Sequence, residues 1–280
     1  MRIQNNIMAM NTHRQLGINN LNQTKSTEKL SSGYRINRAA DDAAGLSISE
    51  KMRAQIRGLN MASKNAQDGI SLVQATEGAL QESHSILQRM RELAVQAANE
   101  VNEPTDRGYI AAELDQLSDE LSRISTTTNF NGKNVLGTGA GTLKLHVGAN
   151  KDQTIDVTTT ATDAATLGVA KTVWANLAPT ASVADGTTAA NATIVAVDTA
   201  INKVSSLRSD LGAVQNRLEH TVNNLDTVSE NLQAAESRIR DVDMAKEMMT
   251  FTKNNILTQA ATAMLAQANQ TPQTVLQLLR

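Results

Sequence analysis

By type and spacing, four histidines, one glycine-rich string and one aspartate pair are the residues of this sequence that could do chemistry. His13, His84, His146 and His220 could bind a metal or move protons. Each lies in a separate segment, and none forms an HExxH pair or a comparable ligand spacing, so packing or surface positions are the better reading. Gly137-x-Gly139-x-Gly141 could cradle a phosphate, but it runs into an alternating apolar stretch at Leu143 instead of opening a helix. Asp241-Val242-Asp243 could hold a cation, yet the glycine and distal glutamate of a calcium loop are missing, and a cap for the following helix is the simpler role. The chain has no cysteine, which removes thiol catalysis, thiolate metal sites and disulfides together. No catalytic or cofactor constellation is left, and the chain is expected not to be an enzyme.

What remains is a problem of packing. Of the 280 residues 40% are hydrophobic but only 2% aromatic, a balance that suits close helix–helix contact better than a core anchored on rings. The net charge is −2, with basic residues scattered among acidic ones, so no footprint for a phosphate backbone is visible and nucleic acid is not an expected partner. No apolar run reaches the roughly 18 residues of a membrane span, and the polar start Arg2-Ile3-Gln4-Asn5-Asn6 predicts no cleavable general secretory signal. If the protein leaves the cell, a different route is expected.

Alternating steps of three and four pick out Leu59, Ala62, Ala66, Gly69, Val73, Thr76, Leu80, Ser83, Leu87, Met90, Ala94 and Ala97 without meeting a charge, the pattern of a coiled-coil seam whose small residues admit a close partner. Further on, Val197, Val204, Leu211, Leu218, Leu225, Leu232 and Ile239 recur every seven residues. The complementary row, Ile194, Ile201, Arg208, Gln215, Val222, Ser229 and Glu236, collects all the polar interruptions, an arrangement that can set register. Ile110, Leu114, Leu117, Leu121 and Ile124 predict a third helix after a break at Pro104, with Asp106 as its N-cap, and Ser47-x-x-Glu50 reads as a capping box. The expected fold is mainly α, an elongated antiparallel helical bundle. A small β-hairpin joins Leu143, Leu145 and Val147 to Ile155 and Val157, and the Thr- and Ala-rich stretch 158–190 is expected to be an irregular surface excursion.

The ends are more polar and thinly anchored, by Ile3, Ile7 and Met10 at one terminus and by Leu257, Met264, Leu265, Leu276 and Leu279 at the other. Such helices are marginal alone and are expected to order when neighbouring subunits supply packing.

The segment 28–80, EKLSSGYRINRAADDAAGLSISEKMRAQIRGLNMASKNAQDGISLVQATEGAL, closely resembles the N-terminal region of bacterial flagellins. The stretch LGAVQNRLEHTVNNLDTVSENLQAAESRIRDVDMAKEM (211–248) and the tail NILTQAATAMLAQANQTPQTVLQLLR (255–280) resemble the C-terminal region. The likeness covers roughly residues 1–136 and 190–280, and the short middle implies that the outer domains of larger flagellins are absent. It implies an inner coiled coil with a spoke linker from residues 1–44 and 241–280, ordered in the assembled filament. Residues 45–190, with the hairpin and short insert, and the long helix 191–240 would form the bundle.

Function follows from the same resemblance: a flagellar filament subunit, located outside the cell, exported by the flagellar type III secretion apparatus without signal cleavage. Partners implied are further copies of the chain, an export chaperone, the filament cap and hook-associated junction proteins. Leu87-Gln88-Arg89-Met90-Arg91-Glu92-Leu93-Ala94-Val95 is similar to the patch read by the flagellin-sensing Toll-like receptor of a host, with Arg89, Leu93 and Glu113 at the positions expected to matter. Arg35, Arg38, Asp41 and Asp42 fall in the spoke, where they would either dock on neighbouring subunits or form ordinary surface pairs. A junction protein of the same superfamily and an enzyme carried on the filament are the alternatives; the missing HExxH and short insert weigh against the second.

Overall fold

The computed structural model describes residues 6–177 and 183–278, and the side chains of 6–177 and 185–271. Helices α1 (Ile7–Ser32), α2 (Ala43–Ala97) and α3 (Pro104–Thr127) are followed by two antiparallel hairpins, β1 (Asn129–Phe130) with β2 (Lys133–Asn134) and β3 (Thr142–His146) with β4 (Thr154–Thr158). Then come α4 (Ala164–Leu167), a 3-10 turn at Ala175–Leu177, α5 (Val183–Arg240) and α6 (Met244–Leu278). The chain forms two compact units, Arg57–Ser229 and, separately, Met1–Ile56 with Glu230–Arg280. The mainly α fold with a small antiparallel sheet is the one the heptads and the alternating run predict.

In the unit Arg57–Ser229, every position of the charge-free row from Leu59 to Ala97 is buried. Side-chain bonds show how α2 meets α5. Asn60 accepts from Ser229 Oγ (2.9 Å), Asp226 accepts from Ser63 Oγ (3.0 Å), Glu77 pairs with Arg208 (3.5 Å) and Arg91 donates to Asp198 (2.7 Å). As one number rises the other falls, so the two helices run antiparallel. Val73, Leu80 and Leu87 share one core with Leu114 and Leu121 of α3 and Val204 and Leu211 of α5, while Leu218 closes a second cluster with Ala66, Val147 and Ile155. The hydroxyls of Thr76 and Ser83 in this row donate back to the carbonyls of Leu72 (2.8 Å) and Ala79 (3.0 Å), so burying them leaves no donor unsatisfied.

The hairpin has the expected partners, with Leu143 opposite Val157 and Leu145 opposite Ile155. Its position explains two glycines of α2. A Cβ at Gly69 would collide with Leu145 Cδ1, and one at Gly58 would stand 3.0 Å from Ala149 Cβ. Small residues therefore admit the hairpin as well as a partner helix, and Asn65 Nδ2 fastens the contact by donating to the His146 carbonyl at 3.0 Å. Asn131 and Gly132, at φ 49° and 76°, make the tight β1–β2 turn that an Asn-Gly pair favours.

Several details differ from the sequence expectation. Over 158–177 the expected surface excursion is instead core, since Leu167, Val169, Trp174 and Leu177 are each 3% exposed or less and belong to the main core; residues 178–182 of that expectation lie outside the described residues. A few large side chains anchor it without any periodicity to announce them. Trp174 Nε1 donates to Asp115 Oδ1 of α3 at 2.8 Å, and Asp163 caps α4 by accepting from Thr166 N at 3.3 Å. Helix α5 starts within the same stretch, before the first aliphatic heptad residue, because Ala189, Ala190 and Thr193 pack closely there without large side chains. Ser47 lies inside α2, not at its cap; Asp42 Oδ1 caps it, accepting from Gly45 N at 2.9 Å. Glu103, not Asp106, is the N-cap of α3, and Asp106 Oδ2 reaches back to accept from Glu103 N at 3.3 Å. Arg107, 1% exposed, donates to the carbonyls of Ala97 (3.1 Å) and Asn99 (3.2 Å), closing the C-terminal end of α2.

In the other unit, α1 lies along α6. Asn6 Nδ2 donates to the Ala268 carbonyl at 2.7 Å and Asn19 Nδ2 to the Leu257 carbonyl at 3.4 Å, so this pair is antiparallel too. Among the described side chains, the ones it buries are small or polar: Asn19, Ser26, Asn254 and Ala268.

Candidate assembly and recognition surfaces

Among the described residues there is no group of three or more His, Cys, Asp or Glu side chains able to hold a metal ion, and no helix long and apolar enough to cross a membrane. The four histidines lie on α1, α2, β3 and α5 respectively. Gly137 to Gly141 form the loop into β3, with Asn134 Oδ1 accepting from the amides of Leu136 (3.0 Å) and Gly137 (2.6 Å). Asp243 caps α6 by accepting from Lys246 N at 3.1 Å, as its position before the helix suggests.

The surfaces that remain are of three kinds. The first is the outer face of α1 and α6. Ile7, Met10, Leu257 and Met264 are exposed, Leu265 is half-buried, and Ile3, Leu276 and Leu279 lie outside the residues whose side chains are described. A helix pair that buries asparagine and serine while exposing methionine and isoleucine inverts the usual amphipathic arrangement, as it would if a further partner covered the apolar side.

The second is the loop between α1 and α2. Gly33, at φ 75°, ends α1 in the left-handed conformation that glycine adopts without penalty. From there the chain pairs briefly with the α5–α6 junction. Arg35 N donates to the Arg240 carbonyl (2.7 Å), Val242 N to the Gly33 carbonyl (3.0 Å), and the Arg240 guanidinium lies 4.8 Å from the centre of the Tyr34 ring. Ile36 is buried beneath. Each of the four loop charges has a partner within the chain. Arg35 Nη2 donates to the Ile239 carbonyl (2.6 Å), Arg38 makes a two-pronged pair with Glu28 (2.9 and 3.1 Å), Asp42 caps α2, and Asp41 Oδ2 accepts from the amides of Asn37 (3.2 Å) and Arg38 (3.0 Å). All four stay exposed.

The Arg38 amide holds the Asp41 carboxyl below its ordinary pKa, against an opposing effect of burial and with further help from the Asn37 amide and from Lys29 and Lys25. A depressed carboxylate pKa contributes stability that is present above the unfolded value and is lost as pH falls through the folded one. The Asp41 carboxyl resonance is therefore expected to titrate with a midpoint below that of a solvated aspartate. The Asn37 and Arg38 amide resonances should shift with it, and both should lose that coupling in Asp41→Asn.

The third surface crosses from α2 to α3. Arg89 Nε and Nη2 donate to Glu113 Oε1 (3.1 and 2.9 Å), and Nη1 donates to Glu92 Oε2 (3.1 Å). These three side chains are exposed, whereas Leu93 is 2% exposed and belongs to the core beneath them. The structure thus brings Arg89 and Glu113 together at the surface and places Leu93 under them. Of the seam residues, Leu59, Val73, Leu80, Leu87, Leu211, Leu218 and Leu225 are buried in their own unit, and Leu232 is half-buried in the other.

Comparison with known proteins agrees with an assembling chain. Residues 3–140 match the bacterial flagellin N-terminal helical region and residues 194–279 the bacterial flagellin C-terminal helical region. The flagellin of Halalkalibacterium halodurans is 59% identical over 281 residues and that of Bacillus subtilis 56% over 308, with each alignment covering all of both chains. A solved hook-associated protein from Vibrio parahaemolyticus, at 14% identity and a TM-score of 0.61 over 72% of this chain and all of the other, shares the fold alone. Both helical regions and the full-length identity therefore place this chain among the bacterial flagellins: it is a structural subunit of the flagellar filament and not an enzyme.

Proposed function

We propose that the subunit joins its neighbours through the outer face of α1 and α6, which become the inner coiled coil of the filament, while the bundle makes the lateral contacts. In this reading residues 1–44 and 241–280 form the inner part, and residues 45–190 with 191–240 the bundle. The observation that carries it is the inverted pairing of the terminal helices, with Ile7, Met10, Leu257 and Met264 exposed beside a buried seam of Asn19, Asn254 and Ala268. Covering those side chains removes apolar surface from water, and a contact of this kind that does not close on itself propagates as a helix. The exposed charges Arg35, Arg38, Asp41 and Asp42 hold the connection between α1 and α2 and present its outer side to adjacent subunits.

Export by the flagellar type III secretion apparatus without signal cleavage fits the family. So do an export chaperone on the C-terminal segment, the filament cap at the growing tip and hook-associated junction proteins at the base. Purified chain added to filament seeds should elongate them, as seen by electron microscopy. Seeds that are capped without growing would overturn the reading in favour of a junction protein.

A second reading rests on the Arg89–Glu113 pair, exposed across two helices above Leu93: this patch is the surface read by the flagellin-sensing Toll-like receptor of a host. Arg89→Asp, which places a third carboxylate beside Glu92 and Glu113, should weaken receptor activation by soluble monomer without altering helicity. An unchanged dose response would overturn it.

A further inference from the structure

The exposed face of α1 and α6 has an unusual chemical composition. The chain has ten methionines and no cysteine, so thioether is its only sulfur chemistry. Six of the methionines, Met8 and Met10 on α1 with Met244, Met248, Met249 and Met264 on α6, are between 48% and 69% exposed, whereas Met90 in the bundle core is fully buried. Helices that need an apolar face for a partner could use leucine or isoleucine, neither of which reacts with mild oxidants. Methionine fits an adaptable surface and is open to oxygen transfer.

We propose that these six methionines are an oxidation site that governs assembly: a peroxide converts them to sulfoxides in the free subunit, and the oxidised subunit no longer joins the filament. The sulfur lone pair attacks one oxygen of hydrogen peroxide and the O–O bond breaks. A sulfur–oxygen bond forms, sulfur loses two electrons, and the other oxygen leaves as water. The product replaces an apolar, flexible side chain with a strongly polar one. Burying it against an apolar neighbour without a hydrogen-bond donor is unfavourable. Joining the filament covers the same sulfurs, so the polymer protects the residues that the free subunit exposes. The inference rests on the assembly role of α1 and α6 proposed above.

The test treats purified full-length monomer with hydrogen peroxide, maps sulfoxides by peptide mass spectrometry and measures elongation of untreated seeds. Oxidised monomer is expected to elongate about tenfold more slowly or worse. A pair of methionine sulfoxide reductases, one for each sulfoxide epimer, should restore the rate. Replacing all six by leucine, a swap close in volume, should give a monomer that elongates and resists peroxide, while Met61→Leu alone, at a methionine of α2 that is 57% exposed, should stay sensitive. In preformed filaments the six should remain thioethers.

Full oxidation with an unchanged rate, reduction that fails to restore it, or equal oxidation in filament and monomer would each overturn the inference. The oxidation and reduction arms use the unaltered chain, so they decide even if the sixfold variant does not assemble. Elongation by a chain truncated after Ile256 would instead overturn the assembly role itself. Truncation that blocks growth beside oxidation that does not would remove only the oxidation site.

Discussion

A chain ending at Ile256 is expected to lose seeded elongation altogether while its bundle unit melts as before. The truncation removes most of α6 and with it the bonds that Asn6 and Asn19 of α1 make to the carbonyls of Ala268 and Leu257. Helix α1 then has nothing beside it over its first half. It opens without an acidic residue in its first turn, and its residues are mostly polar, so little intrinsic propensity or dipole complementarity is left to hold it. The exposed Leu257 and Met264 are lost from α6, and the exposed apolar face of α1 that a neighbour would cover is disordered. The core of the unit Arg57–Ser229 is built from its own residues, from Leu72 to Leu211. The sole tryptophan, Trp174, reports on that core, so its emission and melting curve should match those of the full chain. Filaments that still grow would show that the terminal pair is not the assembly contact.

Trp174→Ala should have the largest effect on the bundle. Emptying a site this size in a packed core costs about 3–5 kcal/mol, which for a unit of this length lowers Tm by roughly 6–20 °C. Asp115 also loses the indole N–H that reaches it at 2.8 Å. Phenylalanine at the same position keeps most of the apolar contact but not the donor, and should cost less, about 1–2 kcal/mol. Circular dichroism reads both variants, since neither retains the fluorophore. A loss below about 1 kcal/mol in Trp174→Ala would mean that the segment does not hold the bundle together.

The seam of α2 and Trp174 are not equally visible in the sequence. The seam of α2 could be read position by position, and the structure buries every one, because a helix with a heptad repeat carries its own orientation: residues three and four apart share a face wherever the helix lies. The hairpin was legible for the same reason, since a period of two identifies the face of a strand. Trp174 was not. A single large residue in a Thr- and Ala-rich stretch has no period, and whether it is buried depends on Asp115 of α3, far away in sequence.

The caps divide in the same way. Asp243 is readable as a cap because it stands directly before a helix that follows at once, whereas nothing marks Asp42 as one, because the first turn of α2, Ala43-Ala44-Gly45, carries no apolar period to show where the helix begins. Arg107, which no local pattern marks, is a buried cap in the structure, decided by the turn that brings it under the last carbonyls of α2.

On its own, then, the sequence determined the seams of the long helices and the inward faces of the β3–β4 hairpin. These properties depend on neighbours a few residues apart. Tertiary structure decided that the middle segment is core and not an excursion, and that Gly58 and Gly69 of α2 make room for a hairpin. It also decided that Leu93 lies beneath the Arg89–Glu113 pair, and that the terminal helices bury their small polar residues and expose their methionines. Each of those outcomes depends on which surfaces of distant segments meet, and local pattern does not record that.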